Sequence, residues 1–309
     1  MIAVIGEALV DLVIDPTGGV TAALGGAPFN AARACGRLGA DVAFVGALSN
    51  DRFGSILRAR LVDDGVDVTR SLVVDEPTTL AAAELDDRGS ATYRFYVDGT
   101  SAPRLGPVDL RFDPAGPSTD VVLTGGLALA LEPIAGSVVS MVESLTESTL
   151  VVVDVNCRPL VVADRAAYLR RVDSVLARAH VVKVSDEDLE YLDPGAAVVD
   201  AARRLVPTGR PGVVLVTGGA AGVHVVTHDD VVVVPIAPVE VVDTIGAGDT
   251  FSGAFVSWWW SHGFGVAESA DVTLVERAVT AASVAAGIAC TRRGAEPPYR
   301  RELPPDWAD

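Results

Sequence analysis

The fold is decided by one glycine-rich stretch, Asp243-Thr244-Ile245-Gly246-Ala247-Gly248-Asp249-Thr250-Phe251-Ser252-Gly253-Ala254-Phe255. An apolar, β-branched run precedes it from residue 231 to 242 and an amphipathic run follows it, which predicts extended chain turning into a helix at the glycines. A helix start leaves backbone N–H groups unpaired, and these donors with the helix dipole favour an anion. Because Gly246 and Gly248 lack side chains, a phosphate could approach the backbone closely. The pattern therefore predicts an anion hole formed by Gly246, Ala247 and Gly248.

Asp249 falls in the first turn of this predicted helix. A carboxylate beside a bound phosphate would repel it, so Asp249 is better suited to accept the proton of a hydroxyl that attacks the phosphate. The alternative is that Asp249 only complements the helix dipole and that the glycines only make a tight turn. Two other phosphate motifs are excluded, because position 251 is Phe where Gly-x-Gly-x-x-Gly needs glycine, and because the only lysine, Lys183, is not in a P-loop.

Composition limits the classes of protein. The 309 residues are 50% hydrophobic, enough for a large core, yet no uninterrupted apolar run could span a bilayer. A formal charge of −17 argues against nucleic acid as the main partner. The three cysteines (Cys35, Cys157 and Cys290) are widely spaced, which predicts free thiols in a reducing compartment. No signal peptide is recognisable, so we expect a cytoplasmic protein that does not associate with membranes.

Strands and helices alternate through most of the chain, which predicts a mainly parallel sheet covered by helices on both faces. Ligands bind such sheets beyond the carboxyl ends of the strands. Polar or glycine residues follow several predicted strands and could share one rim with Asp249: Asp154, Asn156, Arg158, Ser185, Thr217 and Gly219. Simpler interpretations stay open, since Ser185-x-x-Asp188 could be an ordinary capping box and residues 218–222 only a hairpin loop.

The sequence predicts three consecutive strands without helices between them, over residues 72–75, 79–85 and 91–97. With residues 9–14 they predict a small sheet that covers one end of the main domain, as a lid, a dimer surface or both. Asp11 in this set is either a carboxylate that accepts hydrogen bonds from a polyol or an ordinary edge residue.

Residues 25–32 predict a glycine turn that opens a helix, with Pro28 in its first turn. Asn30 would lie close to these glycines. Its amide both donates and accepts hydrogen bonds, which suits sugar hydroxyls, although simple helix-end bonding is the alternative.

These motifs resemble those of the ribokinase-like, PfkB carbohydrate kinase family, along almost the whole chain. Residues 25–30, Gly-Gly-Ala-Pro-Phe-Asn, resemble its N-terminal glycine motif, and residues 243–251 resemble its C-terminal signature, Asp-Thr-x-Gly-Ala-Gly-Asp-Thr-Phe. The resemblance implies one kinase domain over residues 1–309, a three-layer α/β/α sandwich with a mainly parallel sheet and a small β-sheet lid formed by about 9–14 and 72–98.

The resemblance also implies site roles. Asp249 would be the catalytic base and the backbone of residues 246–248 the anion hole. The residues implied to hold the sugar are Asp11, Gly25, Gly26, Asn30 and Arg158. Those implied to line the nucleotide site are Ser185, Thr217, Gly219, Gly222, Ala282 and Ala286. A monovalent cation such as K⁺ would be held near Asp243 and Ile245, and Mg²⁺ would accompany ATP near Asp188, although Ser185-x-x-Asp188 is shorter than the Asn-x-x-Glu common in the family.

The Ala27-Pro28 pair and residues 290–298 are most similar to bacterial fructokinases. This similarity implies transfer of the γ-phosphoryl group of ATP to a free hexose, D-fructose at its 6-hydroxyl, by an enzyme that could form a homodimer through its lid. The alternatives are a 2-keto-3-deoxygluconate kinase, in which Arg158 would meet the sugar-acid carboxylate, or a ribokinase. A different class is a non-catalytic sugar or nucleotide sensor on a kinase fold, which would not need the carboxylate of Asp249.

Overall fold

The computed structural model describes residues 1–86, 91–106 and 119–308. Its centre is an eight-stranded sheet with the order β14-β13-β12-β11-β10-β9-β1-β4. The strands from β12 to β4 run parallel, whereas β13 and β14 pair antiparallel at one edge. These strands are β1 (Ile2–Ile5), β4 (Val42–Val45), β9 (Val121–Gly125), β10 (Leu150–Asp154), β11 (Val181–Ser185), β12 (Val213–Thr217), β13 (Val223–Val226) and β14 (Val231–Val234).

Helices cover both faces of this sheet. The helices are α1 (Ala27–Arg37), α2 (Arg52–Asp63), α3 (Ile134–Ser144), α4 (Arg165–Leu176), α5 (Asp186–Leu192), α6 (Val198–Leu205), α7 (Ala247–Ser261) and α8 (Val272–Cys290). Side chains alternate across β1: Ile2 and Val4 pack with α1, α7 and α8, while Ala3 and Ile5 pack with α3 and α4. The two apolar clusters make the three-layer α/β/α sandwich that the sequence predicts.

The small separate sheet has four strands in the order β3-β2-β7-β8. They are β2 (Leu9–Ile14), β3 (Val20–Gly25), β7 (Leu80–Leu85) and β8 (Ala91–Tyr96). The prediction missed β3 because residues 20–25 show no strong apolar alternation and are largely exposed. They form a strand by pairing antiparallel with β2. The β7–β8 connection at residues 87–90, predicted as a turn, lies outside the described residues.

One predicted member of this sheet is elsewhere. Residues 72–74 form β6 (Leu72–Val74), which pairs parallel with β5 (Ala47–Ser49) in a sheet of its own. The strand predicted over residues 72–75 is confirmed, but its assignment to the small sheet was wrong, because a three-residue strand does not reveal its partner. The polar stretch predicted over 102–118 begins with a short 3-10 turn at Ala102–Arg104, and residues 107–118 lie outside the described part.

Helix α7 begins where the glycine-rich stretch predicts, but β14 ends at Val234 and residues 235–242 are irregular. The run of valines there is thus a loop and not a continuation of the strand. Helix α8 has the length and apolarity of a membrane span, yet its buried residues belong to the core cluster beneath the sheet. We interpret α8 as a core helix that packs on α7.

Candidate active site

The start of α7 is built to face an anion. Gly246 precedes the helix in the left-handed conformation, at φ 73°, and no side chain caps the helix start. A β-carbon at Gly246 would lie 2.5 Å from the Ala295 β-carbon, so only glycine fits there without displacing the 294–297 loop. The Ala247 N–H donates to the Thr244 carbonyl at 3.2 Å. Within the described residues the Gly246, Gly248 and Asp249 N–H groups have no protein acceptor and remain as donors. The prediction that the Ala247 N–H belongs to the anion hole is therefore corrected, because that N–H already has an acceptor, and Asp249 adds a donor that the sequence interpretation did not include.

Asp249 is half-buried in the first turn of α7, and Asn30 from the first turn of α1 reaches it. The Asn30 Nδ2 donates to Asp249 Oδ2 at 2.8 Å, while the buried Asn30 Oδ1 has no partner. Burial raises the pKa of Asp249 to about 6, and the hydrogen bond from Asn30 opposes this shift. A carboxylate with such a pKa is suited to a general base near neutral pH.

Two glycines allow α1 to approach the end of β1. A β-carbon at Gly26, which has φ 107°, would lie 2.7 Å from the Glu7 carbonyl oxygen, and one at Gly25 would lie 2.0 Å from Asp11 Oδ2. Glycine is therefore required at Gly26, where the obstacle is backbone and φ is positive, whereas at Gly25 the obstacle is the end of the Asp11 side chain. Their part in holding sugar stays a prediction, since a missing side chain gives room but no specific contact.

Three carboxylates and one guanidinium influence one another around the predicted sugar residues, and one of the carboxylates, Glu7, was not predicted. Burial raises the pKa of Asp11 to about 6, with the Asp249 charge raising it further and Arg158 lowering it. Burial likewise raises the pKa of Glu7 to about 8, against hydrogen bonds from the backbone and the charge of Arg158. Glu7 Oε1 accepts from the Ala27 N–H at 3.2 Å, and its Oε2 is buried without a partner. Asp11, Glu7, Arg158 and Asp249 thus share one electrostatic environment.

Glu7 was missed by the sequence interpretation. Its signal is an acidic side chain directly after the buried strand β1, at the carboxyl edge where ligands bind. A second omission is Lys183, which was noted only as the sole lysine. Its signal is a charge within the otherwise apolar strand β11.

Lys183 lies beneath the helix start. Its ammonium nitrogen is 3.1 Å from Asp154 Oδ1. Both side chains are buried, and each is 8% exposed. The other Asp154 oxygen, Oδ2, accepts from the Ser252 hydroxyl of α7 at 2.7 Å. A β-carbon at Gly248 would lie 3.0 Å from Lys183 Nζ, so the ammonium borders the predicted anion hole.

The predicted nucleotide residues lie at the ends of β11 and β12. Thr217 ends β12, and its hydroxyl donates to the Val184 carbonyl at 3.3 Å. Gly219 is exposed in the turn that joins β12 to β13. Gly222 has φ 94°, and a β-carbon there would lie 2.6 Å from the Val234 carbonyl oxygen. Residues 218–222 do form a hairpin connection, which is compatible with a nucleotide role and does not establish it.

Ser185 and Asp188 form a true capping box. The Ser185 hydroxyl accepts from the Asp188 N–H, and Asp188 Oδ2 accepts from the Ser185 N–H at 2.8 Å. Asp188 Oδ1 also accepts from the Cys157 N–H at 2.6 Å. Because both carboxylate oxygens bind backbone donors and the residue is 5% exposed, Asp188 does not fit a direct Mg²⁺ ligand. Among the described residues no group of three His, Cys, Asp or Glu side chains could hold a metal.

Of the two alanines predicted to flank adenine, Ala282 and Ala286, the structure allows only the second to do so. Ala282 is fully buried in the core, so it cannot line an open nucleotide site. Ala286, one turn later, is only partly buried, and the neighbouring Gly287 faces Val239 of the 235–242 loop. The prediction therefore survives for Ala286 alone.

The predicted cation loop is held by Asp243. Its Oδ1 accepts from the Ile245 N–H at 3.0 Å and its Oδ2 from the Gly294 N–H at 2.8 Å. Arg33 supports the same loop, because its Nη1 donates to the Ala295 carbonyl at 2.7 Å. These bonds fix the loop carbonyls near Ile245, and the cation role itself stays a prediction.

Together the residues join a helix start with free N–H donors, a carboxylate of suitable pKa and a polar rim of acidic side chains. Such a site can hold a phosphoryl group at α7 and a hydroxyl compound at Asp249, and can remove the proton of the hydroxyl as it attacks. Phosphoryl transfer to an alcohol is a reaction that such an arrangement could support.

Comparison with known proteins shows that the chain is similar to carbohydrate kinases. The profile of the pfkB family carbohydrate kinases matches residues 1–301. The chain is 32% identical over 304 residues to the fructokinase of Salmonella typhimurium, covering 97% of each chain. The crystal structure of the Xylella fastidiosa fructokinase with bound ATP is similar at a TM-score of 0.86 and 28% identity, covering 98% of this chain and 94% of that one.

A double mutant of the Vibrio cholerae O395 fructokinase, in a form bound to fructose, ADP and potassium ion, is similar at a TM-score of 0.82 and 27% identity. The similarity covers 95% of this chain and 93% of that one. The family profile extends over both glycine motifs and nearly all of the three-layer sandwich. The chain therefore belongs to the pfkB family of carbohydrate kinases.

Proposed function

We propose that this sugar kinase transfers the γ-phosphoryl group of ATP to the 6-hydroxyl of D-fructose. The observation that carries the proposal is the contact between Asn30 and Asp249 at the start of α7, because it joins the predicted sugar motif to the predicted catalytic motif. The resemblance to fructokinases in sequence and in structure supports the choice of sugar.

The reaction follows from the placement of the side chains. Asp249 accepts the proton of the 6-hydroxyl, the hydroxyl oxygen forms a bond to the γ-phosphorus, and the bond from that phosphorus to the bridging oxygen of ADP breaks. The N–H groups of Gly248 and Asp249 face the phosphoryl oxygens, where donors stabilise charge that develops in the transition state. Asp11 and Asn30 are the proposed partners of the sugar hydroxyls.

The charge of the sugar side favours a neutral sugar. At neutral pH Asp11 and Asp249 are mostly ionised, whereas Glu7, whose pKa is raised to about 8, is mostly protonated. The cations near these carboxylates are Arg158 and Lys183, and the Lys183 ammonium is already paired with Asp154. A substrate with its own carboxylate or phosphate would add a negative charge to a site that already has more acidic than basic groups. The charge balance supports fructose over 2-keto-3-deoxygluconate, although exposed Arg158 is the one feature that would suit a sugar acid.

ATP is the proposed donor, and Mg²⁺ would enter the site as part of the Mg·ATP complex. The described residues offer no side-chain cluster for a divalent ion, so the nucleotide phosphates would supply its ligands. A K⁺ ion near the Asp243 loop is proposed as an activator. We propose a cytoplasmic location, which suits a kinase of small sugars that uses ATP.

The test is a coupled assay of Mg·ATP turnover with fructose, ribose, 2-keto-3-deoxygluconate and nucleosides, with Asp249→Asn as the matched variant. We expect the highest kcat/KM for fructose, and a kcat lower by roughly 10²–10⁴-fold in Asp249→Asn. A higher kcat/KM for the sugar acid would support the alternative kinase. Sugar binding without any turnover would support the sensor, and near-normal turnover of Asp249→Asn would remove Asp249 from the mechanism.

A further inference from the structure

Lys183 is exceptional in the composition of the chain. Of the 24 lysine and arginine residues it is the only lysine. It lies in β11 between Val182 and Val184, both fully buried, where a charged side chain costs free energy unless it is paired. A chain that uses arginine elsewhere therefore keeps a lysine at one buried position, and the surroundings of that position explain why.

The ammonium has fixed neighbours. Asp154 of β10 is its 3.1 Å partner, and Ser252 of α7 holds the second oxygen of that carboxylate at 2.7 Å. Burial lowers the pKa of Lys183, but the carboxylates of Asp154, Asp188 and Asp249 outweigh burial and raise it. The side chain is thus charged at neutral pH, and its position is set by two strands and one helix.

The space around the ammonium explains the choice of lysine. A β-carbon at Gly248 would lie 3.0 Å from Nζ, so the ammonium is packed directly against the glycine turn. Lysine presents a compact point charge, whereas arginine presents a broad planar fork. A guanidinium would collide with the turn that carries the Gly248 and Asp249 N–H donors.

We infer that Lys183 is a positioning residue for the proposed phosphoryl transfer: it supports the Gly248 turn of the anion hole and keeps the Asp249 base ionised. The inference rests on the proposed function. Its ammonium adds fixed positive charge behind the donors that face the phosphoryl group, in a partly buried site where charge interactions are strong. The charge also opposes protonation of Asp249.

Other groups act on Asp249 as well, and they are separable from Lys183. Asn30 of α1 donates to it, Asp154 of β10 raises its pKa, and Arg158 lowers it. Asp11 and Glu7 also lie in the field of the Asp249 charge. A substitution at Lys183 changes the contacts of only one of these groups, Asp154, which loses its ion-pair partner and keeps the hydrogen bond from Ser252.

The first test compares Lys183→Met with the double variant Lys183→Met/Asp154→Asn. The single variant leaves a buried carboxylate unpaired and should lower the Tm, whereas the double variant removes both charges and should recover most of the Tm. We expect kcat to fall about 10²-fold in both variants, the usual effect of losing one stabilising group in such a site. Recovery of kcat along with the Tm would show that Lys183 only neutralises Asp154.

The pH dependence of kcat/KM provides a second test, because a residue that only stabilises the fold would not change it. In both variants we expect the KM values for fructose and ATP to stay close to wild type. In Lys183→Met the acid limb of kcat/KM should move to higher pH, whereas in the double variant it should return to the wild-type position or below, because the Asp154 charge that raises the pKa of Asp249 is also gone. An unmoved acid limb in Lys183→Met together with unchanged kcat would overturn the inference. Wild-type enzyme that fails to phosphorylate any sugar would instead overturn the proposed function.

A spectroscopic test does not depend on turnover. Because the chain has one lysine, [¹³Cε]lysine labelling gives a single side-chain signal. We expect this signal to shift when fructose, Mg·ADP and aluminium fluoride are added together, because the fluoride complex mimics the transferred phosphoryl group. The shift with Mg·ADP alone should be smaller. An unchanged signal, with binding of the complex demonstrated by calorimetry, would contradict a place for Lys183 beside the phosphoryl site.

Discussion

The side-chain amide of Asn30 and the carboxylate of Asp249 are joined by a hydrogen bond of 2.8 Å, although 219 residues separate them in the chain. Asn30 comes from the first turn of α1 and Asp249 from the first turn of α7, and the two helices pack together on one face of the sheet. The bond fixes the direction of the carboxylate and opposes the rise in its pKa. Several expectations for the reaction follow from this contact.

Asn30→Leu should reduce kcat by about 10- to 100-fold, which corresponds to about 1.5–3 kcal/mol for a hydrogen bond to a charged group. Without the amide donor the pKa of Asp249 rises, so the acid limb of the pH profile should also move to higher pH. Asn30→Asp, which places a second carboxylate beside the first, should move it further. Identical pH profiles for all three proteins would show that Asn30 does not act on Asp249.

The pH dependence of wild type follows from two carboxylates. Burial raises the pKa of Asp249 and of Asp11 to about 6 each. A general base must be ionised, so kcat/KM should fall as the pH decreases through this range. If both carboxylates must be ionised, the limiting slope of log kcat/KM against pH should be about two, and about one in Asp11→Asn. A wild-type profile that stays flat down to about pH 4 would contradict the assignment of Asp249 as base.

Glu7 should make the folded protein less stable as the pH rises. Burial raises its folded pKa to about 8, above the ordinary 4.5, so the folded state binds more protons than the unfolded state between these values. The free energy of unfolding should therefore decrease by roughly a few kcal/mol as the pH rises through this window. Glu7→Gln keeps an oxygen for the Ala27 N–H and should remove this part of the pH dependence, measured by urea denaturation at several pH values.

Gly248→Val should lower kcat more than it changes either KM, because the new side chain crowds the anion hole and lies against Lys183, 3.0 Å from its ammonium. The matched control is Gly263→Ala at the other end of α7, where a β-carbon meets nothing within 4 Å. Gly263 has a positive φ of 69°, which Gly248 does not, so the control adds backbone strain without crowding and is the more demanding comparison. Equal kcat values for the two variants would place the phosphoryl group away from Gly248.

We propose that the small sheet of β2, β3, β7 and β8 closes over bound sugar, because closure would exclude water as a competing acceptor and Asp11 lies in β2. Hydrogen exchange should show more protection of this sheet when fructose is added. The internal control is β6, which pairs with β5 and should not respond. Unchanged protection of the sheet would defeat its assignment as a lid.

The same sheet is the proposed homodimer surface. Three side chains on it are large and more than half exposed: Val20 at 59%, Tyr93 at 51% and Tyr96 at 54%. Edge strands with such residues favour pairing with another chain. Sedimentation should show a dimer, and Tyr96→Glu should weaken it. A monomeric wild-type protein would contradict the proposed dimer but would not bear on the proposed lid.

Local sequence patterns were enough to predict the helix start at Gly246, the place of Asp249 in its first turn and the layered α/β architecture. These features follow from local patterns, since glycine conformation, capping and the alternation of strands and helices depend on neighbouring residues. The Ser185 capping box is local in the same way. Each of these predictions needed no knowledge of which distant segments meet.

Which residues share the site depends on long-range packing and became clear from the three-dimensional structure. It paired Lys183 with Asp154 and brought Glu7 beside Ala27, contacts that join separate strands and a helix. It also buried Ala282 in the core and paired β6 with β5 instead of with the small sheet. The physical reason is that burial and partner choice depend on long-range packing, which short strands and single charged residues do not encode in their own neighbourhood.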